Sequence, residues 1–320
     1  MSLIRAFRIF RLPNLLMVAA TMYLMRWSII KPLLEVFGLD LQISEIAFLG
    51  LVLSTVFITA AGYVINDYHD VRADQINKPG KLVVGFHISR RSALFLHWLL
   101  NLIGVSAGIV FSILYHVPWM ILIFAGAPLL LWYYSVRLKH ILLAGNLAVS
   151  LLTGTVPLLV ILFEYPLLAR NYHNNTEFFP HGLTAILIWV GVFSFFAFMI
   201  NLIREIIKDA QDTAGDREMG SSTLPITYGL SKTKKVLTGL TIFTVLVLGF
   251  FFLTYLRDWI SLTYYFLALF IPFIYLIIRI LKSQDTSDYQ FLSTWVKVIM
   301  LLGLLYAPVV HWLLHNYLNR

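Results

Sequence analysis

The stretch IAFLGLVLSTVFITAAGYVI (residues 46–65) is twenty residues without a charge, and it runs directly into NDYHDVRAD (residues 66–74). The first part has the length that carries an α-helix across the hydrocarbon core of a bilayer. The second places Asp67, Asp70 and Asp74 at the end of that helix, beside Asn66. The same D-x-x-D-x-x-x-D spacing returns 142 residues later (Asp67 to Asp209) as Asp209, Asp212 and Asp216, in Arg204-Glu205-Ile206-Ile207-Lys208-Asp209-Ala210-Gln211-Asp212-Thr213-Ala214-Gly215-Asp216-Arg217, again at the end of an apolar run. Little else in the two halves matches, so this is a weak internal repeat with one sharp coincidence. Repeats related by an axis along the membrane normal carry both motifs to the same membrane face.

The surrounding composition agrees. Of 320 residues 59% are hydrophobic and 12% charged, with a mean hydropathy of +0.82; soluble domains carry about 25% charged and about 45–50% apolar residues. A soluble domain is excluded, and the chain reads as an all-α polytopic membrane protein. Its apolar runs form nine expected spans at about 12–30, 46–66, 93–114, 117–135, 141–163, 182–204, 236–256, 260–281 and 293–315. One unit covering residues 1–320 is expected, made of two weakly repeated halves with acidic motifs at 66–74 and 208–217. If the N-terminus is inside, 19 of the 24 Lys and Arg fall on the same side, which fixes N-in/C-out by the positive-inside rule. The net charge of +8 is therefore topological, and a nucleic-acid partner is not expected. The first span follows a basic segment but has no A-x-A-type cleavage site, so it reads as retained. With no cysteine there is no disulfide, thiolate metal site or Cys nucleophile.

On one continuous helix of 3.6 residues per turn, positions 0, 3 and 7 fall within about 60° of one another. Each triplet then presents three carboxylates in a stripe. Like charges this close are unfavourable, and a hard divalent cation relieves them; Mg²⁺ takes oxygen ligands and is commonly shared between carboxylates and substrate phosphates. An EF-hand is excluded, because its Gly at position 6 and Glu at position 12 are missing in register. Cations on the same face complete a diphosphate site: Lys78, Lys81, Lys139, Arg204, Lys208 and Arg217, with Arg204 and Lys208 one turn apart. A transporter is the competing class, since buried carboxylates and repeats occur there too. Here the clusters lie at one interface, and the spans lack paired Gly/Pro breaks at a common depth.

At these residues the chain resembles the UbiA superfamily of intramembrane prenyltransferases. The resemblance rests on Asn66 to Asp74, on Lys208 to Arg217, on Tyr134-Ser135-Val136-Arg137-Leu138-Lys139 and on Thr223-Leu224-Pro225. The Arg-x-x-Asn start (Arg11 to Asn14) and the nine spans extend it over essentially the whole chain. It implies a bundle around a central cavity open to the membrane, where Mg²⁺ bridges the acidic motifs and a polyprenyl diphosphate. Carried over residue by residue, it puts Asn66, Asp70, Asp212 and Asp216 on the metal, with Asp67, Asp74 and Asp209 as further ligands or immediately behind them. Asp70, Asp74, Asp212, Asp216 and Lys139 become catalytic. Lys81, Lys139, Arg204, Lys208, Arg217 and Tyr134 become diphosphate contacts. The chain departs from the family at Lys81, where many relatives have Arg, and at Leu82 to Gly85, which lacks the usual proline. Ile76-Asn77-Lys78-Pro79 and the second motif look most like the branch that transfers geranylgeranyl from geranylgeranyl diphosphate to geranylgeranylglycerol phosphate. Aromatic acceptors (4-hydroxybenzoate or a naphthoate) are the runner-up and haem B farnesylation comes third. A lipophilic acceptor within the bilayer is implied throughout, and the expected location is the inner membrane of a bacterium with the site facing the cytoplasm.

Other polar positions read as structural. Asn14 and Asn146 are expected to bond within the helix packing, and Ser89 and Ser231 to cap helices. His116 to Pro118 and Arg257-Asp258 read as tight turns, Asn174-Asn175-Thr176 as a chance sequon, and Lys297 as a side chain snorkelling to the interface.

Overall fold

The structure is a computed structural model describing residues 7–78, 80, 82–173, 175 and 181–318. Lys81, Pro79 and the sequon residues Asn174 and Thr176 lie outside that set. The chain forms helices α1 (residues 12–36), α2 (Glu45–His69), α3 (Val71–Asn77), α4 (Arg90–Leu114), α5 (Ile121–Val136), α6 (Ala144–Asn171), α7 (Leu183–Gln211), α8 (Thr213–Glu218), α9 (Leu224–Tyr255), α10 (residues 259–282), α11 (Thr286–Leu304) and α12 (Tyr306–Leu318).

Among the described residues, eight helical stretches are long and apolar enough to cross a membrane: Glu45–His69, Arg90–Leu114, Pro118–Val136, Ala144–Asn171, Leu183–Gln211, Leu224–Tyr255, Trp259–Lys282 and Thr286–Asn316. The remaining expected span is helical too, as α1, but a π-turn at Met25–Ile30 divides it. A second π-turn, Tyr265–Phe270, interrupts α10. Large apolar side chains point outward, Leu122, Phe250 and Leu267 being 76%, 66% and 63% exposed, and an apolar exterior on this scale belongs against lipid. The chain is an integral membrane protein.

Helix contacts rely on small residues, since lipid tails remove the hydrophobic drive for helices to associate. Where α4 lies along α2, Ser54 Oγ donates to the Gly104 carbonyl at 2.6 Å, and a Cβ on Gly104 would come within 2.9 Å of the Ser54 carbonyl oxygen. Helix α6 lies along α7, where Asn146 of α6 donates to Asp209 at 2.8 Å, the packing role expected for it. Ser89 caps α4, accepting from Ser92 N at 3.0 Å, and Asp258 caps α10 by accepting from Ser261 N at 2.8 Å. The cap expected at Ser231 is displaced. That helix starts at Leu224 behind Thr223, with Pro225 in its first turn, and bends at Gly229 (φ 79°, ψ 163°). Proline suits a helix start because the first amides lack partners anyway.

The end of the bundle away from the acidic motifs is held by ions. Arg26 in the π-turn of α1 is 1% exposed. It donates to Glu164 of α6 at 3.4 Å, to Glu45 at 2.9 Å and to the Ile43 carbonyl, with its guanidinium 4.5 Å from the Phe48 ring. Fully buried Glu164 also accepts from the amides of Gln42 and Ile43, so the connection between α1 and α2 is fastened across the bundle.

Candidate active site

The acidic motifs take one local form twice. Helix α2 ends at His69, and Asp70 (φ −85°, ψ 0°) joins it to α3. Helix α7 ends at Gln211, and Asp212 (φ −98°, ψ 13°) joins it to α8. The stripe expected along one continuous helix is therefore broken at its middle aspartate in both motifs. Asp67 and Asp209 stay on the long helices, while Asp74 and Asp216 ride on the short ones. Helices α3 and α8 pack on each other across the repeat. Gly215 N donates to Asn77 Oδ1 at 2.8 Å, and a Cβ at Gly215 would lie 2.7 Å from the Ala73 carbonyl oxygen. A backbone atom cannot yield as a side-chain tip does. Gly215→Ala is expected to push the two motifs apart, costing about 1–3 kcal/mol and most of the activity; an unchanged melting temperature and rate would show the contact to be slack.

The middle aspartate of each motif is bound by a lysine from another segment, and one of these lysines joins the two motifs. Lys139, from the segment after α5, bonds Asp70 Oδ1, and Asn66 Nδ2 donates to Asp70 Oδ2 at 2.7 Å. Lys78, at the end of α3, crosses to Asp212 Oδ2 at 2.5 Å. Burial, with Asp70 next in effect, pushes the Asp74 carboxyl up to about 6. Burial, then Asp212 and Asp70, pushes Asp216 up to about 7. Four carboxylates thus face two ammonium groups. Asn66 Oδ1 and Asp212 Oδ1 are buried without a hydrogen-bond partner, and an unpaired buried oxygen is costly. Hard oxygen donors in excess of their cations suit a divalent ion such as Mg²⁺.

The seven expected metal donors do not all point to one place. Asp67 is held by Arg11 at 2.6 Å and Asp209 by Asn146, each drawn aside by a neighbour on its own long-helix side. Among the described residues no three carboxylates or imidazoles stand together as a ready metal cluster. The two oxygens left without a partner belong to Asn66 and Asp212, one in each motif.

Beside this acidic cluster opens a cavity of about 500 Å³, a size typical of ligand clefts. Its polar end carries Arg11, Asn66, Tyr134, Arg204, Glu205, Lys208 and Lys297; its deep end carries Phe124, Val156, Phe193, Phe196 and Leu304. Lys208 and Phe193 both line it, fifteen residues apart on α7, so it runs about 22 Å along that helix. Phe193 and Phe196 also face a small apolar pocket of about 20 Å³ beyond, bounded by Trp189, Phe251 and Tyr306.

Of the expected phosphate contacts, Lys139 lies among the carboxylates, while Arg204, Lys208 and Tyr134 lie on the cavity wall. Arg217 is exposed and makes no ion pair among the described residues, and Lys81 lies outside them. Lys297, expected to snorkel, is exposed and also lines the cavity. The sequence reading missed Asn77 as the clamp between motifs and Glu205 as the partner of Arg204 and Lys208. It counted Lys78 only among the nearby cations. The signal available for Lys78 was its place just past the first motif and before Pro79.

Known proteins are similar to this chain over most of its length. Digeranylgeranylglyceryl phosphate synthase of Methanothermobacter thermautotrophicus is 32% identical over 254 residues, covering 76% of this chain and 78% of its own. The enzyme of the same name from Methanopyrus kandleri is 32% identical over 248 residues, covering 78% and 81%. Among solved structures, a UbiA homolog from Archaeoglobus fulgidus bound to GPP and Mg²⁺ superposes with a TM-score of 0.57 at 16% identity, over 95% of this chain and 99% of that one. A structure from work on digeranylgeranylglyceryl phosphate synthase in membranes gives a TM-score of 0.64 at 22% identity, over 97% and 98%. The model of the UbiA prenyltransferase family matches residues 37–312, and with that match over most of its length the chain belongs to the UbiA prenyltransferase family.

Proposed function

We propose that the protein transfers a geranylgeranyl group from geranylgeranyl diphosphate to geranylgeranylglycerol phosphate within the bilayer, forming an ether lipid. What carries this reading is the facing pair of acidic motifs at the mouth of a long apolar cavity, in a chain whose relatives share the name digeranylgeranylglyceryl phosphate synthase. The whole chain acts as one unit of nine passes, N-in, with the polar end at the cytoplasmic face. A prokaryotic cell membrane is the place proposed for it, bacterial on the sequence reading although the relatives named above are archaeal.

The residues proposed to hold Mg²⁺ are Asn66, Asp70, Asp212 and Asp216, with Asp67, Asp74 and Asp209 around them. Bound there, the ion supplies neutralisation of the diphosphate leaving group. Lys78 and Lys139 add fixed positive charge where the leaving oxygen gathers negative charge. The allylic C–O bond breaks with its electron pair leaving on the diphosphate. The glycerol hydroxyl oxygen attacks the allylic carbon and its proton passes to the released diphosphate. Phe124, Phe193 and their apolar neighbours keep water from the carbocation.

The test is transfer of label from radiolabelled geranylgeranyl diphosphate by purified protein with Mg²⁺, offering geranylgeranylglycerol phosphate and 4-hydroxybenzoate separately. Label in the glycerol acceptor is the expected result. Label only in the aromatic acid moves the protein to quinone-type prenylation with the same site. Neither transfer nor diphosphate binding, with any chain length, overturns the site.

A further inference from the structure

The charged residues around the cavity fall into two groups of opposite surplus. Beside the motifs, Asp70, Asp74, Asp212 and Asp216 exceed Lys78 and Lys139. On the cavity wall the balance reverses. Glu205 accepts from Arg204 at 3.0 Å and from Lys208 at 2.8 Å, so one carboxylate serves two cations. Arg204 Nε is buried with no acceptor. Lys297 of α11 joins them: its electrostatic neighbours are Arg204, Lys208, Arg11 and Glu205, and it makes no ion pair or hydrogen bond among the described residues. Arg11 is taken up by Asp67. Two cations therefore share Glu205 and Lys297 stands unpaired beside them, on a wall that includes Asn66 but none of the six motif aspartates.

Surplus charge beside a membrane-embedded cavity is expensive unless paired. The two groups are complementary to two different ligands: the acidic group to a metal-borne diphosphate, the basic group to a second anion. A phosphate monoester carries about −1.5 to −2 charge at pH 7, which matches a surplus of two. The position also fits a lipid. The exposed residues of the cavity wall gather on α11, at Thr294, Lys297, Val298 and Leu301, with Pro13 at the start of α1, so the cavity opens sideways between these helices.

We propose that Lys297, with Arg204 and Lys208, forms a phosphate-monoester subsite that holds the head group of the acceptor lipid, apart from the donor diphosphate at the acidic motifs. This rests on the acceptor assignment above, but direct binding tests it without turnover. Calorimetric titration of the purified full-length protein would compare geranylgeranylglycerol phosphate with its unphosphorylated analogue. Wild type is expected to bind the phosphorylated lipid about tenfold or more tightly than the analogue, the worth of a hydrogen bond to a charged group. Lys297→Met should remove most of that preference, and Lys297→Arg should retain it. Geranylgeranyl diphosphate binding with Mg²⁺ should change less than about twofold in both variants, well under a tenfold step. Equal binding of the two lipids by wild type overturns the subsite, as does a Met variant that weakens donor and acceptor alike. Failure of transfer to the glycerol lipid, with the preference intact, would sink the acceptor assignment and leave the subsite standing.

Discussion

Alanine at Asp70 and Asp212 together is expected to lower prenyl transfer by more than about 10³-fold while the protein still folds, since a single preorganised electrostatic stabiliser is worth about 10²–10³ in rate. These two aspartates occupy the breaks between α2 and α3 and between α7 and α8. Each is bound to a lysine from another segment, Lys139 and Lys78 respectively. Removing the carboxylates takes from those ammonium groups the oxygens they are paired with and withdraws oxygen donors from the place proposed for the metal. The helix breaks do not depend on the side chains for a cap, because neither aspartate makes a capping side-chain bond. Initial rates with labelled donor, beside a melting curve in detergent, check both halves. Retention of more than about a tenth of wild-type rate, a loss under 1.4 kcal/mol in barrier, would remove these residues from the chemistry.

The largest effect on stability is expected at the opposite end. Glu164→Leu leaves Arg26 buried with only partly exposed Glu45 and a carbonyl as partners. It also strips the amides of Gln42 and Ile43 of their acceptor. Breaking a buried pair in this one-sided way costs about 3–5 kcal/mol. Arg26→Met together with Glu164→Leu should recover a substantial part of the loss, since neither charge is then stranded. Thermal unfolding of the three variants gives the coupling. If the double variant is no more stable than Glu164→Leu alone, the pair is not what fastens that end.

The fold was largely legible because lipid imposes a length and an apolarity that hydropathy measures directly; the run at 46–66 falls inside α2, and that at 182–204 starts one residue ahead of α7 and otherwise lies within it. The motifs were legible as chemistry, because six aspartates at a repeated spacing have few other reasons to sit at a membrane boundary. Their geometry was not. A 0, 3, 7 spacing is what a continuous helix would use, and nothing in Asp70 or Asp212 marks a break. The partners were hidden for a different reason. Lys78 meets Asp212 across 134 residues and Arg26 meets Glu164 across 138, distances that only tertiary packing bridges. Lys297 shows a third limit: a lysine near a span end is equally consistent with lipid head groups and with a cavity wall, and only the position of α11 shows that it lines the cavity.

The same buried pair imposes an order on biosynthesis. At about 5–20 residues per second, the ribosome finishes Arg26 roughly 7–28 s before Glu164. Glu45, only 19 residues on, is made within about 1–4 s of Arg26 at the same rate. Until residue 164 is made, Glu45 is the only one of the two carboxylates that pair with Arg26 yet in existence.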